Sequence, residues 1–352
     1  MNLMEAKKAF RQILSSRSGQ VIQPEGQDAR PYAAIGRTTF ADFFAMFDTP
    51  FLYGTGWDAS ADEKRELVTV LSKETNEKVF GGDNSVGKYI KIGKHNYRVL
   101  GVLNDWYMVP KFYDVTTGAF DQPEEFYIPY NVAIQYELSR SGNTNCWKNP
   151  DGDGFADFLR SECVFSQMWV ELPTTSDKDE YLNFLNAYVE QQKTMGRFPR
   201  PLNNKLSNVM QWMENQEVVQ DDAQAVTSLA LMFLLVCLLN TVGLLLSKFL
   251  GKSADIGLRR ALGASRSSLF QQHLVESSII GLAGGLLGLF LAWAGLQGIA
   301  ALFGDQIGRL AEMDWLMVFS TITLALLTTI IAALYPTWRA CAIAPASQLK
   351  VQ

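Results

Sequence analysis

Three stretches of this chain carry residue types that could do chemistry. The first, Gly82-Asp83-Asn84-Ser85-Val86-Gly87-Lys88-Tyr89, nearly spells the glycine-rich loop that cradles nucleotide phosphates. That loop needs a Ser or Thr hydroxyl after its lysine to hold magnesium, and a following helix whose N-terminus faces the phosphates. Here Tyr89 takes the hydroxyl position, and the alternation from Tyr89 to Val102 predicts a hairpin in place of the helix. The second, Asp151-Gly152-Asp153-Gly154 with Asp157 and Glu162, has the carboxylate density of a calcium loop. Its fifth and sixth positions are Phe155 and Ala156, where a ligand and a glycine are required, so it reads as a solvated acidic turn. The third is the histidine content. His95 sits in a turn and His273 lies far away, which leaves no imidazole pair for zinc or for a catalytic triad. No G-x-S-x-G or H-E-x-x-H run occurs. The expectation is a non-catalytic chain without cofactor or metal.

Cysteine chemistry stays open at this level. Cys237 lies inside an apolar segment and Cys341 just after another, while Cys146 and Cys163 both fall in the polar half. The latter two either form a disulfide, if that half faces an oxidising compartment, or are unrelated thiols.

The elements that must hold these residues divide the chain in two. Of 352 residues 48% are hydrophobic, but the average hides a mixed region over 1–222 and a mostly apolar one over 223–352. The net charge of −5, with no Lys/Arg block, argues against nucleic acid as a partner. Segments 223–247, 277–304 and 315–338 contain no Asp, Glu, Lys, Arg or His, and each is long enough to cross a bilayer. Between the first two lie Lys248, Lys252, Arg259, Arg260 and Arg266 against Asp255 and Glu276, and the tail carries Arg339 and Lys350. Basic loops mark the cytoplasmic side, so 248–276 and the C-terminus are expected inside. The loop 305–314, with Asp305, Arg309, Glu312 and Asp314, and the whole N-terminal domain are then expected outside. Residues 1–30 contain no apolar run that could export that domain, so a truncated chain or a misassigned start is expected, the alternative being a topology other than this one. Within the segments, Asn240 is placed to hydrogen-bond a neighbouring helix. Gly281, Gly284, Gly285 and Gly288 form overlapping small-xxx-small pairs that predict close packing, within the chain or across a dimer. Trp315 and Trp338 fit interfacial positions, and Trp106, Trp147 and Trp169 read as packing residues.

In the polar half, 68–102 reads as strand, short helix and hairpin, with the turn at Gly93-Lys94-His95-Asn96. Further strands are expected at 126–129 and 164–172. A helix follows, capped by Ser176 with Asp179 in a capping box, carrying Tyr181, Leu182, Leu185, Tyr188 and Val189 on one face. Gly196 and Pro199 stop it. The fold class is therefore an α+β extracytoplasmic domain over 1–202, with 104–160 as a loop-rich insertion, followed by an all-α membrane domain of three transmembrane helices. Leu206, Val209, Met210 and Met213 predict a helical stalk over 203–222 that runs on into the membrane, or else a surface helix hinged near Asp221-Asp222.

The loop after the first span is the most informative stretch: Asp255-Ile256-Gly257-Leu258-Arg259-Arg260-Ala261-Leu262-Gly263-Ala264-Ser265. It predicts a short basic helix stopped at Gly263, with Ser265 capping the next. This run, and Leu269-Phe270-Gln271-Gln272-His273-Leu274-Val275-Glu276 after it, resembles the cytoplasmic signature of the MacB/FtsX-type ABC transporter permeases. Tyr335-Pro336-Thr337-Trp338-Arg339-Ala340 and Pro345-Ala346 resemble that family's closing motif. Val68-Thr69-Val70-Leu71-Ser72, Lys78-Val79-Phe80-Gly81-Gly82 and the hairpin from Tyr89 to Val102 resemble its periplasmic core domain. The resemblance implies an inner-membrane permease that pairs with a second copy or a paralogue and docks, through 255–265 as a coupling helix, on a separate ATP-binding subunit. It also implies a periplasmic adaptor as a further partner, and substrates of the peptide, macrolide or lipoprotein class. Family members usually have one spanning helix before the periplasmic domain, and this sequence departs from that pattern. A regulatory scaffold, acting on an extracytoplasmic partner without transport, is the alternative implied by division-linked members.

Overall fold

β-Branched and aromatic residues at alternating positions build one twisted sheet in the N-terminal half. Its strands are β1 (Arg11–Gln23), β2 (Tyr32–Thr39), β3 (Phe51–Gly54), β4 (Val68–Leu71), β5 (Tyr89–Ile92), β6 (His95–Leu103), β7 (Phe126–Pro129) and β10 (Gln167–Glu171). β8 (Asn145–Cys146) and β9 (Cys163–Val164) form a separate two-stranded ladder. This computed structural model describes residues 2–24, 30–218, 222–251, 253–303 and 314–342. It divides into two units, Met1–Val218 and Val219–Gln352.

The order across the sheet is β10-β1-β2-β7-β4-β6-β3, with β5 pairing both β1 and β6. The β2/β7 and β4/β6 pairs are parallel and the rest antiparallel. Both faces of the central strands are covered, and the pleat sorts their side chains between two cores. Leu71, Phe126 and Ile128 join Ile22, Ile90, Val99 and Val132 on one face. Val68, Val70 and Tyr127 join Ile13, Phe43, Phe44, Trp57, Leu103 and Tyr113 on the other.

The expected strand, helix and hairpin over 68–102 form as β4, the helix Lys73–Phe80, β5 and β6. Ser72 Oγ accepts from the Thr75 N–H, and Gly81 ends the helix at φ +70°. Gly82–Lys88 leads into strand β5, so the phosphate-loop likeness has no helix N-terminus behind it. The hairpin turn is tighter than expected. His95 pairs with Ile92 and Asn96 with Lys91, leaving Gly93 at φ +61° and Lys94 as its tip.

Four other boundaries differ from expectation. The helix Thr175–Thr194 is capped two residues early, by Thr174 with Asp177, because the sequence holds two overlapping capping boxes and this one closes reciprocally. The 164–172 strand divides into β9 and β10. Residues 104–160 are not an insertion as a whole, since β7 lies inside the sheet between β2 and β4. The continuous stalk expected over 203–222 is not seen in its described part: over 203–218 the helix is Val209–Asn215, opened by an Asn208–Gln211 capping box. After it Glu217 is left-handed at φ +51°, and residues 219–221 lie outside the described residues.

Among the described residues of the second unit three helices are long and apolar enough to cross a membrane: Gln224–Lys248, Arg266–Ile299 and Trp315–Trp338. The second begins at Arg266, not at residue 277, because the amphipathic stretch after Ser265 and the apolar stretch merge without a breaker. The third contains Pro336 near its end.

Candidate functional site

The loop 255–265 folds as expected, and its helix has two distinct faces. It is helical over Ser253–Ala261, and Gly263 at φ +101° lets the Ala264 N–H turn back to the Arg259 carbonyl (3.0 Å). Ser265 Oγ accepts from the Ser268 N–H (3.1 Å), capping the second span's helix. Asp255, Leu258, Arg259 and Leu262 recur at i, i+3, i+4 and i+7, and all four are exposed. Leu262 is 81% exposed, the mark of an apolar side chain presented outward. Asp255 and Arg259 pair at 3.3 Å, and Arg259 Nη1 donates to Gln272 Oε1 (3.4 Å). Ile256 and Gly257 face inward and are buried.

Small residues bring the second and third spans together on one face only. A Cβ on Gly281 would meet Thr329 at 2.5–3.1 Å, and one on Gly285 would meet Ala325 Cβ at 3.1 Å. Gly284 and Gly288 have nothing within 4 Å. The four glycines therefore separate into a packed pair and an open pair. The Asn240 side chain is exposed, and among the described residues it makes no hydrogen bond to a neighbouring helix. Pro345 and Ala346 lie outside the described residues.

In the N-terminal domain Cys146 and Cys163 are disulfide-bonded, directly opposite each other in the β8/β9 ladder. The bridge closes the acidic turn, in which Asp151 pairs with Lys148 (2.7 Å). Trp147, expected to be a packing residue, is instead 58% exposed, with the Arg200 guanidinium 3.8 Å from its ring centre. These two residues border a cleft of about 700 Å³, completed by Glu162, Val189, Phe198 and Leu202.

The most unusual chemistry in the domain was invisible in the sequence. Arg37 on β2 is fully buried. It donates from Nε and Nη2 to Glu124 Oε1 (3.0 and 2.6 Å), from Nη2 to Asp114 Oδ2 (2.5 Å) and from Nη1 to Ser15 Oγ (2.7 Å). Lys111 Nζ donates to the same Glu124 oxygen (3.3 Å) and to the Gln122 carbonyl (2.5 Å). Tyr113 and Tyr127 donate to Glu124 Oε2 (2.9 and 3.3 Å). Two cations thus face two carboxylates, as buried charges require. Burial alone would push the Glu124 carboxyl up, but Arg37 and Lys111 outweigh it and hold it at about 2. Burial would lower the Arg37 guanidinium, and Glu124 and Asp114 hold it above its ordinary range. The network ties residues 111–124 to β1, β2 and β7, and it offers no opening to a ligand. A further buried carboxylate, Asp62, accepts from the Ala41 N–H (2.8 Å) and from Trp57 Nε1 (2.9 Å), and has no ion-pair partner among the described residues. Burial pushes it up to about 7.

Comparison with known proteins gives these features a family. The MacB-like periplasmic core domain matches residues 4–183, and the FtsX-like permease C-terminal domain matches residues 227–345. Among curated proteins, the Macrolide export ATP-binding/permease protein MacB of Bdellovibrio bacteriovorus is 23% identical over 305 residues, 86% of this chain and 41% of that protein. The Pyoverdine export ATP-binding/permease protein PvdT of Pseudomonas entomophila is 22% identical over 339 residues, 94% of this chain and 45% of that protein. The chain thus spans less than half the length of these relatives. The crystal structure of the periplasmic region of MacB from Actinobacillus actinomycetemcomitans aligns at a TM-score of 0.36 and 13% identity, over 56% of this chain and 82% of that one. With its core domain and its three apolar helices each accounted for, the chain belongs to the MacB/FtsX-type family of ABC transporter permeases.

Proposed function

We propose that this chain is the permease subunit of an ABC transporter whose ATP is hydrolysed on a separate ATP-binding subunit. Movement of the coupling helix at 255–265 drives the spanning helices, and through them the periplasmic domain, to export or extract a substrate of the peptide, macrolide or lipoprotein class. Two chains act together, a second copy or a paralogue, and a periplasmic adaptor is a further partner. The periplasmic domain lies outside, and 248–276 and the C-terminus lie inside. The observation that carries this reading is the outward face of the helix Ser253–Ala261, where Leu258 and Leu262 are left uncovered beside Arg259. Exposed apolar residues among charges mark a protein-binding surface. The test replaces Arg259, Arg260 and Leu262 by acidic residues and follows co-purification of an ATP-binding protein from native membranes. Loss of that protein supports the assignment, and its retention removes it.

A second reading is a membrane scaffold that controls an extracytoplasmic partner without transport. The exposed Trp147 and the cleft beside the disulfide hairpin favour it, because an aromatic side chain stacked under an arginine is a typical anchor for protein binding. A partner captured through Trp147, in cells whose export is unchanged by deletion of the chain, supports the scaffold over the transporter.

A further inference from the structure

A helix that drives three spanning helices must be packed against them without slack, and one apolar cluster joins it to all three. On the helix Ser253–Ala261, Ile256 points away from the exposed face and is 5% exposed. It packs into a cluster with Leu245 of the first span, Leu269 of the second span's helix and Ala333 of the third, with Ala264 and Phe270 at the rim. Among the described residues of that helix, Ile256 alone belongs to the cluster. Lys248, near the C-terminal end of the first helix, and Glu276, ten residues into the second, form an ion pair of 2.5 Å. Lys248 lies one turn beyond Leu245, and Glu276 two turns beyond Leu269, so apolar cup and ion pair share one seam.

We propose that Ile256 is a positioning residue that passes displacement of the coupling helix into all three spans at once, while the Lys248–Glu276 pair makes the first two move together. The inference rests on the coupling role proposed above. A close-packed interior transmits displacement because it has no slack. Shortening Ile256 to alanine removes the contacts that fill the cup and lets the helix shift without moving the spans. The exposed face and the pin are separate: Leu258 and Leu262 hold the partner, and Ile256 transmits.

The experiment uses the full chain with its co-purified ATP-binding subunit in lipid nanodiscs. Nitroxide labels go on V226C and W315C, both exposed at the same ends of the first and third spans, in a background with Cys237 and Cys341 changed to serine. Pulsed electron resonance reads the label distance with and without ATP and vanadate. ATP is expected to shift the distance in the parent. I256A is expected to keep the bound subunit and its hydrolysis but to reduce the ATP-driven change in population ratio by about 2- to 30-fold, the range for removing one contact of a coupling network. I256L restores the shift, and I256V, which removes one methyl group, gives an intermediate loss that reads the same effect should I256A fold poorly. A full shift in I256A with the subunit bound overturns the pin and leaves the coupling helix standing. Absence of a bound subunit in the parent overturns the coupling reading, and the pin with it.

Discussion

Adding one methyl group to Gly281 or to Gly284 should give opposite results, although both belong to the same small-residue run. A Cβ on Gly281 would stand 2.5 Å from Thr329 Oγ1, 2.8 Å from Thr329 Cβ and 3.1 Å from Thr329 Cγ2. Rotating Thr329 gives little relief, because its Cβ does not move with the rotamer and its hydroxyl donates to the Ala325 carbonyl (2.7 Å). To restore ordinary contact at 3.4 Å, the two helices must separate by about 0.6 Å at this point. Overpacking of this kind costs about 1–3 kcal/mol. Replacing Gly by Ala inside a helix returns about 0.5–1 kcal/mol, which leaves G281A destabilised by roughly 1–2 kcal/mol. G284A meets nothing within 4 Å and gains only the helix term. The assay is unfolding of the full chain in detergent micelles, followed by protease resistance against denaturant, with T329G as the compensating change for G281A. Equal stabilities for G281A and G284A, or no rescue by T329G, would refute the packing argument. An effect of G284A confined to the dimer population would instead place the open pair, Gly284 and Gly288, against a second copy.

Two of the buried carboxylates, Asp62 and Glu124, make opposite predictions for pH. Asp62 is raised from 3.8 to about 7, so its contribution is full below pH 4 and is lost as pH rises through 7. At about 1.4 kcal/mol per unit this amounts to a few kcal/mol. Glu124 is lowered from 4.5 to about 2, so its contribution is present above pH 4.5 and is lost as pH falls toward 2. Thermal unfolding from pH 3 to 9 should therefore peak in mildly acidic buffer, and a peak above pH 8 would contradict the assignment of Asp62. R37M leaves Glu124 and Asp114 facing Lys111 alone, and should cost about 3–5 kcal/mol at pH 7, the range for breaking a buried pair. That deficit should shrink in acid as the carboxylates protonate, and a pH-independent deficit would point to lost packing in place of lost charge. Sidedness is read by reducing cells, permeabilising the outer membrane and adding a membrane-impermeant maleimide, with C146S/C163S as control. Labelling before lysis is expected, and labelling only after lysis would place the domain inside.

Legibility followed the range of the interactions. The apolar length of the three spans, the strand, helix and hairpin over 68–102, the Gly263 stop and the Ser265 cap are decided within a few residues, and were legible in the chain; the Ser72 cap and Gly81 stop that bound the helix over 73–80 are equally local and went unread. The buried network could not, because Arg37 meets Ser15, Asp114 and Glu124 across |i−j| separations of 22, 77 and 87. Nothing around Arg37 in β2 announces that a charged side chain has turned inward. The stalk failed for an intermediate reason. The helical spacing read over 206–213 is realised only from Val209, because spacing says which face would be apolar and not where a helix starts or stops; past Asn215 the left-handed Glu217 follows, with no Gly or Pro to mark it.

The membrane glycines show where a motif stops being informative. Gly281 with Gly285, and Gly284 with Gly288, are two equivalent i, i+4 pairs, each a surface smooth enough for a close neighbour. What separates them lies on another helix: Ala325 and Thr329, themselves four apart, offer the matching surface, and only the first pair meets it. The coupling helix has the same logic at smaller scale. Its i, i+3, i+4, i+7 pattern identifies an outward face, but the inward face becomes a mechanism only when Leu245, Leu269 and Ala333 arrive from three separate helices to enclose Ile256. A local pattern marks a surface as ready for a partner, and the partner's own pattern decides whether that surface becomes packing or stays open for docking.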